Sequence, residues 1–395
     1  MSAPTSSYQR IPFIVVFPDT SAARDTYGGE GSSVLLEAQL LRPETASDTV
    51  IVFMHPIGGG AYLPITHALA RAGHHVIYCN SRYRGVDSAL IMEKVVQDLG
   101  ACVAHARGEF GYRNVVLAGW SGGGSLSVFY QQQAEKPTVT ATPAGDGPDL
   151  TKLGLQPADG LMLLAAHVSR HGTLTEWMDA SILDEQDPSK RDPELDLYDP
   201  GNPNQPPYTE EFLQRYREAQ IARNRRITAW VKDKLAELRE AGRPDDEFGF
   251  VVHGTMADPR WLDPAVDPND RKPRWCYLGD PQVVNNSPVG LARFTSLRSW
   301  LSQWSYDDAR GDAPRAAADV TVPVLVIGNS ADDACTPSHT RRMYEGFTHA
   351  DKELHEIAGA SHYYLGADQR PQLREAVSVI TRWLTERGWA PGGAA

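Results

Sequence analysis

The sequence lacks any long apolar run. Nowhere do hydrophobic residues continue for the roughly 20 positions that a bilayer-spanning helix requires, which argues against membrane insertion. Excess basic charge is missing too. With 38 Lys and Arg against 50 Asp and Glu the net charge is −12. No Lys/Arg cluster is available to neutralise phosphates, which argues against nucleic acid as a partner. Cysteine is scarce. The four thiols, Cys79, Cys102, Cys276 and Cys335, show no Cys-x-x-Cys spacing, which argues against a disulfide framework and a zinc site and leaves reduced packing residues. The start, MSAPTSSYQRIPFIVVF, has no basic segment followed by an apolar stretch and a small-residue cleavage site. It reads as the approach to a strand, and the cytoplasm is the expected location. No internal repeat is evident.

What is present is an α/β pattern in 395 residues, 41% of them hydrophobic and 22% charged, enough for one large domain or two ordinary ones. Strands are expected in IPFIVVF from Ile11, SSVLLEAQL from Ser32, TVIVFM from Thr49, HHVIYC from His74, NVVLAG from Asn114, GLMLLAA from Gly160, VPVLVIG from Val322 and KELHEIA from Lys352. Several are nearly continuous Val, Ile and Leu, as strands covered on both faces are. Helical spacing fills the gaps, with Leu90, Ile91, Val95, Leu99 and Val103 in one helix and Leu373, Val377, Ile380 and Leu384 in another. The expectation is a mostly parallel, eight-stranded sheet flanked by helices.

The alternation fails between about His171 and Asp319. A Pro/Asp-rich approach leads there into a long helix from Thr209 to about Ala241, with Gly242 as its stop, and a second helix is expected over Pro288 to Trp304. Six of the nine tryptophans, at 177, 230, 261, 275, 300 and 304, fall in this third of the chain. Residues 171–314 therefore read as a mainly helical cap inserted into a core built from 1–170 and 315–395. Its aromatic rings form the cap's own small core or line a pocket.

Gly119-Trp120-Ser121-Gly122-Gly123 follows the strand NVVLAG and opens a helical pattern. A Gly-x-Ser-x-Gly turn at a strand-to-helix junction exposes its serine on a strained backbone at a helix N-terminus. Ser121 is therefore the candidate nucleophile, and a serine hydroxyl needs a base to take its proton. His362, in the loop directly after the last expected strand, is the candidate base. His355 falls inside that strand and His339 on the helix after Pro337.

With these residues the chain resembles the α/β-hydrolase superfamily across about residues 10–170 and 315–390. The resemblance extends to the loop GNSADDACTPSH, where the superfamily's pattern places the triad acid at Asp332, with Asp333 as the open alternative and Asp179 a remote one. The order Ser121, Asp332, His362 is the superfamily's order. His55-Pro56-Ile57-Gly58-Gly59-Gly60 is similar to its His-Gly oxyanion loop, except that proline replaces the usual glycine and has no N–H. The oxyanion donors implied are the backbone N–H groups of Gly122 and Ile57. His55, bracing this loop, and Trp120, Tyr83 and His167 are candidate substrate contacts. The resemblance implies acyl-enzyme chemistry without cofactor or metal, on a small or medium, partly apolar carboxylic ester. An amidase, lactonase, thioesterase or carbon–carbon bond hydrolase would use the same residues, and a non-catalytic binding module of the same fold is the reading from a different class.

Overall fold

Branched apolar runs make the strands, and all eight expected ones are present in the computed structural model, which describes residues 7–18 and 33–392. The first six residues of the MSAPTSSYQRIPFIVVF stretch and Ser32, at the head of the second expected strand, lie outside the described residues. In chain order the strands are β1 Tyr8–Pro18, β2 Ser33–Pro43, β3 Thr49–Phe53, β4 His75–Cys79, β5 Asn114–Ser121, β6 Gly160–Ala166, β7 Gly249–Val251, β8 Phe294–Ser296, β9 Val324–Asn329 and β10 Lys352–Ile357. Eight of them form one sheet in the order β1-β2-β4-β3-β5-β6-β9-β10, while β7 and β8 form a separate antiparallel ribbon. Pairing is antiparallel from β1 to β2 and from β2 to β4, and parallel across the rest.

The continuous apolar strands are buried on both faces because alternate side chains enter different cores. Val50 and Val52 of β3 join Leu117 and Leu163 in one layer, closed by α2 (Met92–Gly108) and α3 (Gly122–Glu135). Ile51 and Phe53 join Val116 and Met162 in the other, closed by α1 (Pro64–Arg71) and the last helix, Arg370–Glu386. Each such side chain contributes about 1.5–3 kcal/mol on burial, so these two layers, rather than helix propensity, hold the sheet.

Parallel strands all point their C-terminal ends to one edge. β3 lies between β4 and β5, so the connections after β3 and β5 leave in opposite directions and open a crevice between them. Pro56–Gly59 follows β3, Ser121 ends β5, and the long turns after β9 and β10 arrive at the same edge.

The connection from β6 to β9 holds α4 (Arg170–Trp177) and the 31-residue α5 (Glu210–Glu240). The Thr209 hydroxyl accepts the Phe212 N–H at the start of α5, and Gly242, at φ 72°, ends it. One face of α5, with Ile227, Val231 and Leu235, packs on Leu174, Leu297, Trp300 and Trp304.

The expected helix over Pro288–Trp304 is shorter. Phe294–Ser296 is strand β8, and helix begins only at Leu297, passing into a π-helical turn at Trp300–Trp304. Ala292 at φ 55° breaks the pattern, and Thr295, β-branched, sits opposite Phe250 of β7. The four cysteines are free and buried. Among the described residues no helix is long and apolar enough to cross a membrane.

Candidate active site

β5 passes into α3 through Ser121, whose φ of 54° and ψ of −126° are unusual for a residue with a Cβ and cost on the order of 1–3 kcal/mol. Close backbone approach enforces the turn. A Cβ on Gly119 would lie 2.5 Å from the Gly123 carbonyl oxygen, and one on Gly123 would lie 2.6 Å from that of Met54. β6 yields as well: its register shifts between Trp120–Leu164 and Ser121–Ala166, with Ala165 bulged at φ 43°. The turn sets Ser121 at the N-terminus of α3, where unpaired N–H groups favour negative charge.

Loops from two other strands meet it. His362 Nε2 lies 3.2 Å from Ser121 Oγ, and His362 Nδ1 lies 2.9 Å from Asp332 Oδ2. The second carboxylate oxygen of Asp332 accepts the N–H groups of Ala334 and Cys335, each at 2.7 Å. Asp332 is fully buried and His362 nearly so. Trp120 braces the histidine, since its indole N–H donates to the His362 carbonyl at 3.1 Å and its ring lies 4.8 Å from the imidazole. With Asp332 ionised, His362 carries its proton on Nδ1 and leaves Nε2 to accept the Ser121 hydroxyl proton.

The hydrogen bond to His362 belongs to Asp332, whereas Asp333 is held in its protonated form up to about pH 6 by burial first and by the Asp332 charge second, with His362 acting in the opposite sense. This raised pKa costs stability. The unfolded chain loses the proton first as pH rises from the ordinary carboxylate value, so the penalty grows from about pH 4 and is complete above about pH 6. Asp333→Asn should therefore melt higher than the parent at pH 8, with the gain vanishing as pH falls towards 4. Thermal unfolding across that range measures it, and a pH-independent difference would refute the assignment.

Ser121 and His362 open on a cavity of about 390 Å³ whose walls include Trp120, His167, Trp177, Tyr277 and Trp304. His55 also lines it. Its Nδ1 accepts the Ile57 N–H at 3.3 Å, and its pKa is lowered to about 3, by burial first and then by Arg170 and His362. The ring is thus neutral with its proton on Nε2, which lies 2.9 Å from the place a Cβ on Gly122 would occupy. Ile57 reaches the cavity wall, but its N–H is turned to this ring. The Gly122 N–H, first in α3, has no intrahelical acceptor.

His167 lines the cavity with Nδ1 3.2 Å from Thr173 Oγ1, and burial keeps it neutral. Tyr83 is not at the cavity: it packs in the core beside β3 and β4. Bulk and an aromatic ring near a strand end signal core as readily as substrate contact. Its neighbour Arg82 is fixed on Asp98. Outside the relay, His339 bonds Glu176, His355 bonds Glu353, and the Asp179 carboxylate holds Arg191, Asn285 and Ser181.

Sequence reasoning missed Arg170. It opens α4, three positions beyond His167, and lies buried in the cavity wall with Nε on Gln303 and Nη2 on Asp87, both at 2.8 Å. Its position just past the end of β6 was the available signal, because residues there share an edge with Ser121.

No protein-family model and no curated protein matches the chain. Among solved structures, the α/β hydrolase GrgF from Penicillium sp. sh18 is similar over 95% of this chain and 99% of that one, with a TM-score of 0.50 and 11% identity. The chain has the α/β-hydrolase fold. Other matches include the siderophore hydrolase EstB from Aspergillus fumigatus, at 12% identity, 89% and 94% coverage and a TM-score of 0.49. The monoacylglycerol lipase of Paleococcus ferrophilus matches at 15% identity, 88% and 99% coverage and a TM-score of 0.45.

Proposed function

We propose that this chain is a serine hydrolase that cleaves a carboxylic ester of small to medium, partly apolar character through an acyl-enzyme on Ser121. The observation that carries the reading is the relay of Ser121, His362 and Asp332, at 3.2 and 2.9 Å, opening on an aromatic-walled cavity. Ser121 Oγ attacks the ester carbonyl as His362 Nε2 takes its proton, and Asp332 stabilises the imidazolium. The tetrahedral oxyanion is received by the Gly122 N–H at the N-terminus of α3. His362 then protonates the leaving alcohol. Water, activated by the same imidazole, attacks the acyl-enzyme and releases the acid.

Residues 171–314 act in this reading as a cap that sets substrate choice, since Trp177, Tyr277, Leu291 and Trp304 stand in the cavity wall. The ester assignment rests on an apolar, aromatic wall beside an acyl-transfer relay. A fluorophosphonate probe tests the chemistry: native protein should become labelled, with mass spectrometry placing the adduct on Ser121. Failure to label, or an adduct elsewhere, removes the reading.

A further inference from the structure

Arg170 places a buried guanidinium in the cavity wall. Placing a guanidinium in an apolar wall costs several kcal/mol unless its donors are used, and two of its three nitrogens are used, by Asp87 and Gln303. Trp304 supports the plane, with the guanidinium carbon 4.3 Å from its ring centroid. Trp304 is itself pinned, since its carbonyl accepts from Asn224 Nδ2 of α5 at 2.9 Å. Nη1 makes no hydrogen bond among the described residues. It lies 3.7 Å from the place a Cβ on Gly122 would occupy, the same place that His55 Nε2 approaches to 2.9 Å. The two nitrogens therefore face one small space beside the nucleophile turn. The Tyr277 phenol, kept protonated by burial, is close enough to Arg170 for each to influence the other.

We propose that Arg170 Nη1, with the His55 Nε2–H beside it, anchors a carboxylate carried by the substrate, so that the preferred esters bear a free carboxylate in addition to the scissile bond. Two features select a carboxylate over a phosphate. His55 is neutral and Asp87 already offsets the guanidinium, so a dianion would meet Asp87 without a second cation to balance it. Arg84 reaches the cavity mouth but is exposed and paired with Glu37. The guanidinium is preorganised on three sides, so little entropy is lost when the fourth takes an anion.

This proposal names the substrate class of the serine hydrolase reading and rests on it, yet it can be tested without turnover. In Ser121→Ala, the monomethyl esters of succinic, glutaric and adipic acid are titrated against the corresponding dimethyl esters, with cavity tryptophan fluorescence as the signal. The best monomethyl ester should bind at least about tenfold more tightly than its dimethyl counterpart, the scale of one charged hydrogen bond. Adding Arg170→Met should abolish that ratio, and Arg170→Lys should retain part of it. Equal binding of the two ester types, or a preference that survives Arg170→Met, overturns the proposal. Where Arg170→Met fails to fold, the unaltered-pocket ratio and the lysine variant decide. A preserved ratio together with no fluorophosphonate labelling of the native protein sinks only the catalytic reading.

Discussion

Ser121→Ala should lower ester turnover on the order of 10^5-fold while leaving the fold intact. Hydroxyl removal takes away the group to which the proposed mechanism gives the acyl-enzyme, since Ser121 Oγ is the atom 3.2 Å from His362 Nε2. In serine hydrolases the relay acts as a unit, so losing the nucleophile alone costs nearly as much as losing every member. The residual rate comes from binding and from the oxyanion donors. Alanine suits the site sterically, because the φ of 54° at this position is enforced by the glycines around it and is strained for either residue. Thermal unfolding should therefore match the parent within about 1 kcal/mol. Steady-state kinetics on a p-nitrophenyl ester measures the loss. A variant that keeps a tenth of the parent's rate would show that another group does the chemistry.

How far all this could be read from the residues depends on how local each signal is. The eight strands were legible because continuous Val, Ile and Leu in β3, β5, β6 and β9 are a pattern that only burial on both faces explains. Ser121 was legible because a steric demand, glycine at 119 and 123, leaves its mark within five residues. The loop pattern pointed to Asp332 but left Asp333 open, because adjacent carboxylates in one loop differ only in where the backbone turns; in the structure it is Asp332 that meets His362 Nδ1 and accepts the N–H groups of Ala334 and Cys335. Arg170 carried only a positional signal, just past the end of β6, for another reason. A buried arginine reads like a solvated one until Asp87, Gln303 and Trp304, from distant parts of the chain, are seen around it. The helix expected from Pro288 failed because apolar spacing says nothing of a left-handed residue such as Ala292.

Asp332→Asn should cost on the order of 10^4-fold in kcat/KM, and Asp333→Asn less than about tenfold. The size of the first follows from the two backbone donors that hold Asp332 Oδ1. They need an acceptor, so an asparagine there keeps its amide oxygen on Ala334 and Cys335 and turns its NH2 towards His362 Nδ1. That nitrogen must then be the acceptor, which moves the imidazole proton to Nε2. In that tautomer His362 faces Ser121 with a donor and cannot take its proton. Charge loss adds to the deficit, because the imidazolium formed in the transition state has no carboxylate beside it. Asp333 bonds to neither, and its charge reaches His362 only through space. The decisive comparison is the pair of variants on one ester across pH. A large loss in Asp333→Asn with a small one in Asp332→Asn would transfer the acid's role to Asp333, and would require the loop to rearrange when substrate binds.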